Sequence, residues 1–287
     1  MTLKSKVLHL LFFIPALSFY ILFYLVPVIV SFSISFTHWT PLNPTLVRFI
    51  GPSNYLRLAD DPYFWSSLTI SLILTGATLI IENAAGLLLA VLVSQVIRGS
   101  RLYNMLIFAP VVIPPVYVGI LWSWFAHKDL GLVSPLFQFF HGEKVALLGE
   151  PLTALFMVII ANNWKWIGFA FAIYLASLQE ISPVLYEAAQ LDGASRLRIF
   201  LHIILPMLKK TIIMLSVLIT AGAFQTFDLV YSMTEGGPGR STEVLPLYIY
   251  KVAFFYYDIG LASAMAVIMF LITLSVSFVY LRILRGE

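Results

Sequence analysis

The sequence predicts an all-α integral membrane protein with six transmembrane helices. Of its 287 residues, 60% are hydrophobic and only 11% are charged, whereas a soluble globular domain carries about 25% charged residues. Apolar runs of about 20 residues, the length at which a helix crosses the hydrocarbon core of a bilayer, recur along the whole chain. These two observations favour helices that are solvated by lipid over a soluble fold.

Six apolar runs have the length of a membrane span. The first could be a signal peptide, because Lys4 and Lys6 precede it. However, its apolar part is too long for a signal peptide and no small-residue cleavage pattern follows, so a retained helix is predicted. The six predicted spans are Val7–Ser31, Phe64–Val93, Tyr103–Phe125, Leu152–Leu178, Met207–Tyr231 and Ile259–Ile283.

The distribution of Lys and Arg predicts the orientation, because the cytoplasmic loops of membrane proteins carry an excess of these residues. Six spans place both termini on one side, and that side holds ten Lys and Arg residues against six on the other. Both termini and the loop 179–206 are therefore predicted to be cytoplasmic. The ten are Lys4, Lys6, Arg98, Arg101, Arg196, Arg198, Lys209, Lys210, Arg282 and Arg285, and the six are Arg48, Arg57, Lys128, Lys144, Arg240 and Lys251.

The loops 32–63, 126–151 and 232–258 are predicted to face the outside. They are rich in Pro, Gly and aromatic residues, which favours loops that pack at the membrane surface over freely mobile ones.

The first half of the cytoplasmic loop is predicted to form a short helix, "PVLYEAAQL". Ser182 can cap its free amides, and Pro183 fits the first helical position. Gly193, after Asp192, can adopt a positive φ and so end the helix.

A second short helix is predicted to follow, capped by Ser195. Its apolar and polar positions have the spacing of an amphipathic surface helix. Pro206 then falls in the first turn of the next span. The predicted apolar face holds Leu197, Phe200, Leu201 and Ile204, and the opposite face holds Arg198 and His202.

The residues alone leave open a connector without a partner. However, the spaced pattern Glu187-Ala188-Ala189, Gly193, then Ile203-x-Leu205-Pro206 resembles the cytoplasmic signature of permeases of ATP-binding cassette (ABC) importers. In that family this loop is the coupling helix, which docks into a groove on the ATP-hydrolysing subunit. The resemblance implies coupling roles for Glu187, Ala188, Ala189, Asp192, Gly193, Arg196 and Phe200.

The resemblance extends over about residues 65–283. Residues 86–125, with their proline interruptions, and residues 231–254 and 260–272 are similar to the maltose- and oligosaccharide-type branch. It implies an N-terminal helix and first external loop over 1–63, and a five-helix permease core over 64–287. The implied partners are a second, different permease, a cytoplasmic ATPase dimer that uses ATP and Mg²⁺, an external solute-binding protein and membrane lipid. No cofactor of this chain and no nucleic acid are predicted.

Motifs for enzymatic chemistry are missing from the sequence. The stretch "EGGPGRST" (235–242) has neither the spacing nor the lysine of a nucleotide-binding P-loop. The five histidines form no HExxH motif, and the chain has no cysteine. The chain is therefore predicted to be a transport subunit, with ATP hydrolysis on another chain.

Polar residues inside predicted spans indicate a solute pathway, because such groups usually face a protein interior or a wet cavity. Amide groups next to aromatic rings suit a sugar, and the resemblance to the maltose- and oligosaccharide-type branch implies a di- or oligosaccharide. Two alternatives stay open. Glu82 and Lys165 could pair with each other across helices instead of lining a pathway. The chain could also be a stand-alone carrier or channel, which would require an internal repeat. The predicted pathway residues are Asn162, Asn163, Lys165, Trp166, Gln225 and Asp228.

Overall fold

The computed structural model describes residues 13–94, 99–132, 135, 138, 139 and 146–285. It is mostly helical, which confirms the predicted fold class. The charged residues Lys4, Lys6, Arg98 and Lys144 of the orientation argument lie outside the described residues, as does the start of the first predicted span.

Among the described residues, four helices are each long and apolar enough to cross a membrane. They are α1 (Phe13–Ile34), α3 (Pro62–Ser94), α6 (Pro151–Gln179) and α12 (Ile259–Arg285). Two bent helix pairs pass the same test: α4 with α5, bent by 99°, and α8 with α9, bent by 65°. Counting each bent pair as one span gives six. The bent pairs are α4 (Ser100–Val112), α5 (Pro115–Phe125), α8 (Arg196–Met207) and α9 (Lys209–Phe224).

Shorter elements connect these helices. In chain order they are α2 (Ser53–Ala59), α7 (Pro183–Leu191), α10 (Asp228–Thr234) and α11 (Leu245–Phe254). The strands β1 (Thr37–His38) and β2 (Arg48–Phe49) form a two-residue antiparallel ladder.

The third predicted span is not one straight helix. Ile113, at the end of α4, is extended, with φ −73° and ψ 127°. Two prolines follow it, and a proline disfavours the helical conformation of the preceding residue and supplies no backbone N–H. The break at Ile113 and Pro114 therefore follows from local sequence.

The fifth predicted span is shorter than residues 207–231. It bends at Leu208, and its helix α9 ends at Phe224, with three residues between it and the start of α10. Pro206 cannot donate to a helical carbonyl, and a wider π-turn, Phe200–Ile204, precedes it. Pro206 thus lies before the bend and not in the first turn of the straight span.

The structure divides into two compact units, Met1–Phe64 with Tyr248–Leu271, and Trp65–Leu247 with Ile272–Glu287. In the first unit the Asn54 amide donates to the carbonyls of Ser35 and Thr37, both at 2.9 Å. Arg57 forms an ion pair with Asp258 at 3.0 Å. Loop 32–63 is therefore held by specific contacts, whereas its packing at the membrane surface and a single core over 64–287 stay predictions.

In the second unit, one polar network joins three helices. The Tyr174 hydroxyl of α6 donates to Asn83 Oδ1 of α3 at 2.5 Å, and Asn83 Nδ2 donates to Ser216 Oγ of α9 at 3.4 Å. Close packing adds to this, because a Cβ at Gly86 of α3 would lie 2.7 Å from that of Ala170. These contacts hold α3, α6 and α9 together.

Candidate functional site

A cavity of about 260 Å³ lies between α3, α6 and α9. Its wall is mostly apolar and aromatic, with a few polar groups, which is the usual make-up of a small-molecule site. The lining residues are Thr78, Glu82, Asn162, Trp166, Phe169, Leu218, Ile219, Gly222 and Ala223.

The polar groups of the cavity come from α3 and α6. Asn162 Nδ2 donates to Thr78 Oγ1 at 3.2 Å. Glu82 is 3% exposed, and its Oε1 has no hydrogen-bond partner among the described residues. The Trp166 ring meets Phe169 edge-on, with ring centroids 6.4 Å apart. The cavity therefore offers an amide, a free carboxyl oxygen and an aromatic face to a polar guest.

Of the predicted pathway residues, the structure brings Asn162 and Trp166 to this cavity and leaves four outside its lining. Asn163 Nδ2 instead donates to the Ile159 carbonyl at 2.7 Å. Gln225, in the break after α9, and Asp228, in the first turn of α10, are exposed. Pathway roles for Asn163, Gln225 and Asp228 stay predictions.

Lys165 points to the break between α4 and α5. Its Nζ donates to the carbonyl of Val111 at 3.1 Å and to that of Ile113 at 2.5 Å. Among the described side chains it forms no ion pair with Glu82. A helix that breaks leaves carbonyls without helical partners, and Lys165 supplies the donors for two of them.

The loop 179–206 contains a second feature, which we call the coupling segment (residues 182–205). Pro183 occupies the first turn of α7, as predicted, but the prediction that the Ser182 hydroxyl caps the helix is wrong, because it makes no capping hydrogen bond. The end of α7 agrees with the sequence, since Gly193 has φ +77°. Its N–H donates to Gln190 and that of Ala194 donates to Ala189, the two bonds of a Schellman motif.

The second helix of the coupling segment begins as predicted, with Ser195 Oγ accepting from the Arg198 N–H at 3.4 Å. The predicted apolar face is wrong in part, because Leu197 and Leu201 are 67% and 45% exposed. Ile204 is buried as predicted, and Ile199, which is not part of the predicted face, is buried as well. The π-turn Phe200–Ile204 has more residues per turn than an α-helix, so it rotates the face that reaches the core.

The surface of the coupling segment is charged, small and apolar. Ala189 is buried and Phe200 is half-buried, so these two predicted coupling residues anchor the segment to the unit's core. Leu191 is 90% exposed, next to the exposed Gly193. Burial raises the pKa of the nearby Tyr186 hydroxyl, which therefore stays neutral. The remaining predicted coupling residues, Glu187, Ala188, Asp192 and Arg196, are exposed.

Comparison with known proteins identifies this arrangement. Residues 82–286 match the family described as "Binding-protein-dependent transport system inner membrane component". The chain belongs to this family. It is a membrane-spanning permease subunit of an ABC importer, and its role is transport and not catalysis.

Two relatives and one solved structure are informative. The chain is 35% identical to the sulfoquinovosyl glycerol transport system permease SmoG of Agrobacterium fabrum, over 89% of this chain and 82% of the relative. It is 32% identical to the trehalose/maltose permease MalF of Thermococcus litoralis, over 98% and 95%. A bacterial ABC transporter involved in import of the acidic polysaccharide alginate has the same fold, with a TM-score of 0.86, 24% identity, and 99% and 96% coverage.

The described residues contain no group of three or more His, Cys, Asp and Glu side chains that could hold a metal ion. The sequence could not show that Glu82, Asn162 and Trp166 meet, because the first lies on α3 and the others on α6. The one usable signal was that each is a polar or amphipathic residue inside an apolar span.

Proposed function

We propose that this permease carries a di- or oligosaccharide across the cytoplasmic membrane. The observation that carries the proposal is the cavity in which an amide, a carboxyl oxygen and an aromatic ring converge. Planar polar groups hydrogen-bond sugar hydroxyls, and aromatic rings pack against the apolar faces of sugar rings. Two relatives named for sugar-containing solutes support the same substrate class.

The size of the cavity supports a second permease as partner. At about 260 Å³ it is smaller than the roughly 300–1,000 Å³ of a site that encloses a drug-sized ligand. We infer that this chain holds part of the sugar and that a different, similar permease completes the site. A solute-binding protein on the outside would deliver the sugar, as the family description implies.

Energy would enter through the coupling segment. Its exposed Glu187, Gly193 and Leu191 form a surface of charged, small and apolar groups, which suits docking into a groove of a cytoplasmic ATPase dimer. ATP and Mg²⁺ would be used by that dimer, and this chain would bind no cofactor. Closure of the dimer would switch the permease between inward- and outward-facing states.

The function is tested on the purified importer with its binding protein. A binding protein loaded with one saccharide should stimulate ATP hydrolysis and drive uptake of that saccharide into proteoliposomes. Stimulation by amino acids or peptides, with no response to any saccharide, would contradict the proposal.

The ring of Trp166 should contribute to sugar affinity. We expect Trp166→Ala to raise the KM for sugar uptake about tenfold, because losing an aromatic contact costs on the order of 1.4 kcal/mol. Assembly should be normal, since Trp166 is 36% exposed. Trp124→Ala, at a 75% exposed tryptophan outside the cavity lining, is the matched control. An unchanged KM in Trp166→Ala would show that the ring does not contribute to sugar binding.

The proposed orientation can be tested by labelling, because the chain has no cysteine. We expect Arg48→Cys to react with a membrane-impermeant maleimide in intact cells. Leu191→Cys, in the coupling segment, should react only in inverted vesicles or permeabilised cells. Both positions are exposed, so labelling of the two from the same side would contradict the predicted topology.

A further inference from the structure

A groove of about 440 Å³ opens between α4 and α6, at the end of α6 that leads into the coupling segment. It is separate from the cavity between α3, α6 and α9, because the two share no lining residue. The helices are in close contact beside it, where a Cβ added at Gly168 would collide with the Ile107 carbonyl oxygen. The groove lies on the coupling-segment side of this contact, since its lining falls within residues 101–108 of α4 and 171–179 of α6.

The lining of the groove changes from polar to apolar along its length. Its outer part carries the guanidinium of Arg101, in the first turn of α4, and the amides of Asn104 and of Gln179, the last residue of α6. Its inner part is apolar and ends at Phe108, about 10 Å further along the axis of α4 than Arg101. No acidic side chain lines the groove in the described part of the chain. A matching guest has a negative charge at one end and a hydrocarbon chain at the other.

The side chains that would hold such a guest are accessible. Arg101 is exposed, and Met105 and Phe108 are 62% and 37% exposed. The half-buried Asn104 has an Oδ1 atom that makes no hydrogen bond with the described residues. An unsatisfied amide oxygen inside a membrane protein is costly, because lipid tails supply no donor. The groove therefore lacks an apolar cover, an anion and a hydrogen-bond donor.

We propose that an anionic phospholipid occupies this groove, with its phosphate at Arg101 and one acyl chain along Met105, Phe108 and Leu175. Basic pockets between membrane-spanning helices are typical sites for acidic lipid headgroups, and the fork of an arginine matches a phosphate. A headgroup hydroxyl, as in phosphatidylglycerol, supplies the donor that Asn104 lacks. A free phosphate ion would leave the apolar part of the groove uncovered.

The proposal goes beyond the proposed function, since it holds whichever solute is carried. The lipid would bridge the ends of α4 and α6 directly before the coupling segment, which begins at Ser182. It would therefore stabilise the part of the permease from which the coupling segment extends, because a ligand that binds only the folded state stabilises that state.

The test is a fluorescence competition on the whole importer, reconstituted in phosphatidylcholine with brominated acyl chains. Met105→Trp places a reporter at the groove that bromine quenches, and the signal of the parent importer is subtracted. Phosphatidylglycerol without bromine restores the fluorescence wherever it binds in preference to phosphatidylcholine. We expect about a fivefold preference at this reporter, equivalent to about 1 kcal/mol for one basic residue and an acidic lipid. Leu88→Trp, at a 59% exposed position of α3 outside the groove, should show no preference.

Four further variants, each combined with the Met105→Trp reporter, separate charge from shape. Arg101→Gln should reduce the preference to less than about twofold, whereas Lys210→Gln, at an exposed lysine of α9, should leave it unchanged. Ala176→Phe fills the groove without changing the charge, so it should also reduce the preference. Ala84→Phe, at an exposed alanine of α3 outside the groove, is its matched control.

Two results would overturn the proposal. Equal losses of preference in Arg101→Gln and Lys210→Gln would show only a general attraction between a basic surface and acidic lipid. A Met105→Trp reporter that bromine does not quench would show that protein, such as a second permease, covers the groove. Loss of preference in Arg101→Gln and Ala176→Phe, with both controls unchanged, would support it. None of these readouts involves a sugar, so failure of the sugar function would leave them unaffected.

Discussion

The substitution Gly193→Val is expected to abolish ATP-driven uptake while leaving the amount of membrane-inserted permease unchanged. Gly193 has φ +77° at the end of α7, and among the described residues, its two chain neighbours aside, none has an atom within 4 Å of the position that a Cβ would take. The substitution therefore causes no collision within the chain. Its cost is the left-handed backbone conformation, about 1–2 kcal/mol for an ordinary residue and more for a β-branched one.

This backbone strain acts at the bend that sets the direction of the second helix of the coupling segment. The two Schellman hydrogen bonds of Gly193 and Ala194 require the left-handed conformation. Without them, residues 195–199 leave α7 in another direction, and the surface presented to the ATPase changes. The expected result is loss of ATPase during purification, together with loss of uptake.

Gly76→Val is the matched control for this prediction. Gly76 lies in α3 with ordinary helical geometry, and a Cβ there would likewise have no neighbour within 4 Å in the described part of the chain, apart from its own helix backbone. Valine is a better helix former than glycine, so the substitution causes no backbone strain at this position. Wild-type levels of bound ATPase and of uptake in Gly193→Val would show that residues 182–205 are only a connector.

Charge at the same surface can be tested with Glu187→Lys. Glu187 is exposed on α7, so its replacement does not disturb the core. If Glu187 meets a basic group of the ATPase, the reversal turns an attraction into a repulsion. We expect weaker co-purification of the ATPase at normal permease levels, and retention equal to wild type would exclude a role for this carboxylate.

Local chemistry explains which parts of the fold could be predicted from the sequence. Pro183 in the first turn of α7, the positive φ of Gly193 and the Ser195 cap each depend on a few neighbouring residues. Apolar length predicted the six spans for the same reason. The proline pair after Ile113 was equally visible, but its consequence, a bend of 99°, depends on packing around the break.

Features that depend on tertiary contacts were not predictable. The π-turn Phe200–Ile204 shifted the buried face, so that Ile199 is buried and Leu197 is exposed. The partners of Lys165 are backbone carbonyls, which have no sequence signature. For the cavity, the polar run around Asn162 was recognised, but Glu82 could be placed with it only once α3 and α6 were packed together.

Replacing Lys165 should have a large effect on the stability of the protein. Lys165 is 2% exposed, and it satisfies the carbonyls of Val111 and Ile113 where α4 ends. The substitution Lys165→Met keeps most of the length of the side chain but leaves both part-buried acceptors without this donor. Hydrogen bonds to a charged donor contribute about 1.5–3 kcal/mol each, and removing the buried charge offsets part of this loss. We expect the free energy of unfolding to fall by about 2–4 kcal/mol.

The measurement is the thermal unfolding midpoint of the detergent-solubilised complex, together with uptake per folded complex. Lys210→Met, at an exposed lysine of α9, is the control and should change stability by less than about 0.5 kcal/mol. Because the Lys165 ammonium is bound to the break in α4–α5 and does not line the cavity, the Lys165→Met complexes that do fold should keep most of their uptake. Normal stability with lost uptake would instead place Lys165 in the solute pathway, because removing a residue that stabilises the break between α4 and α5 must lower the stability of the complex.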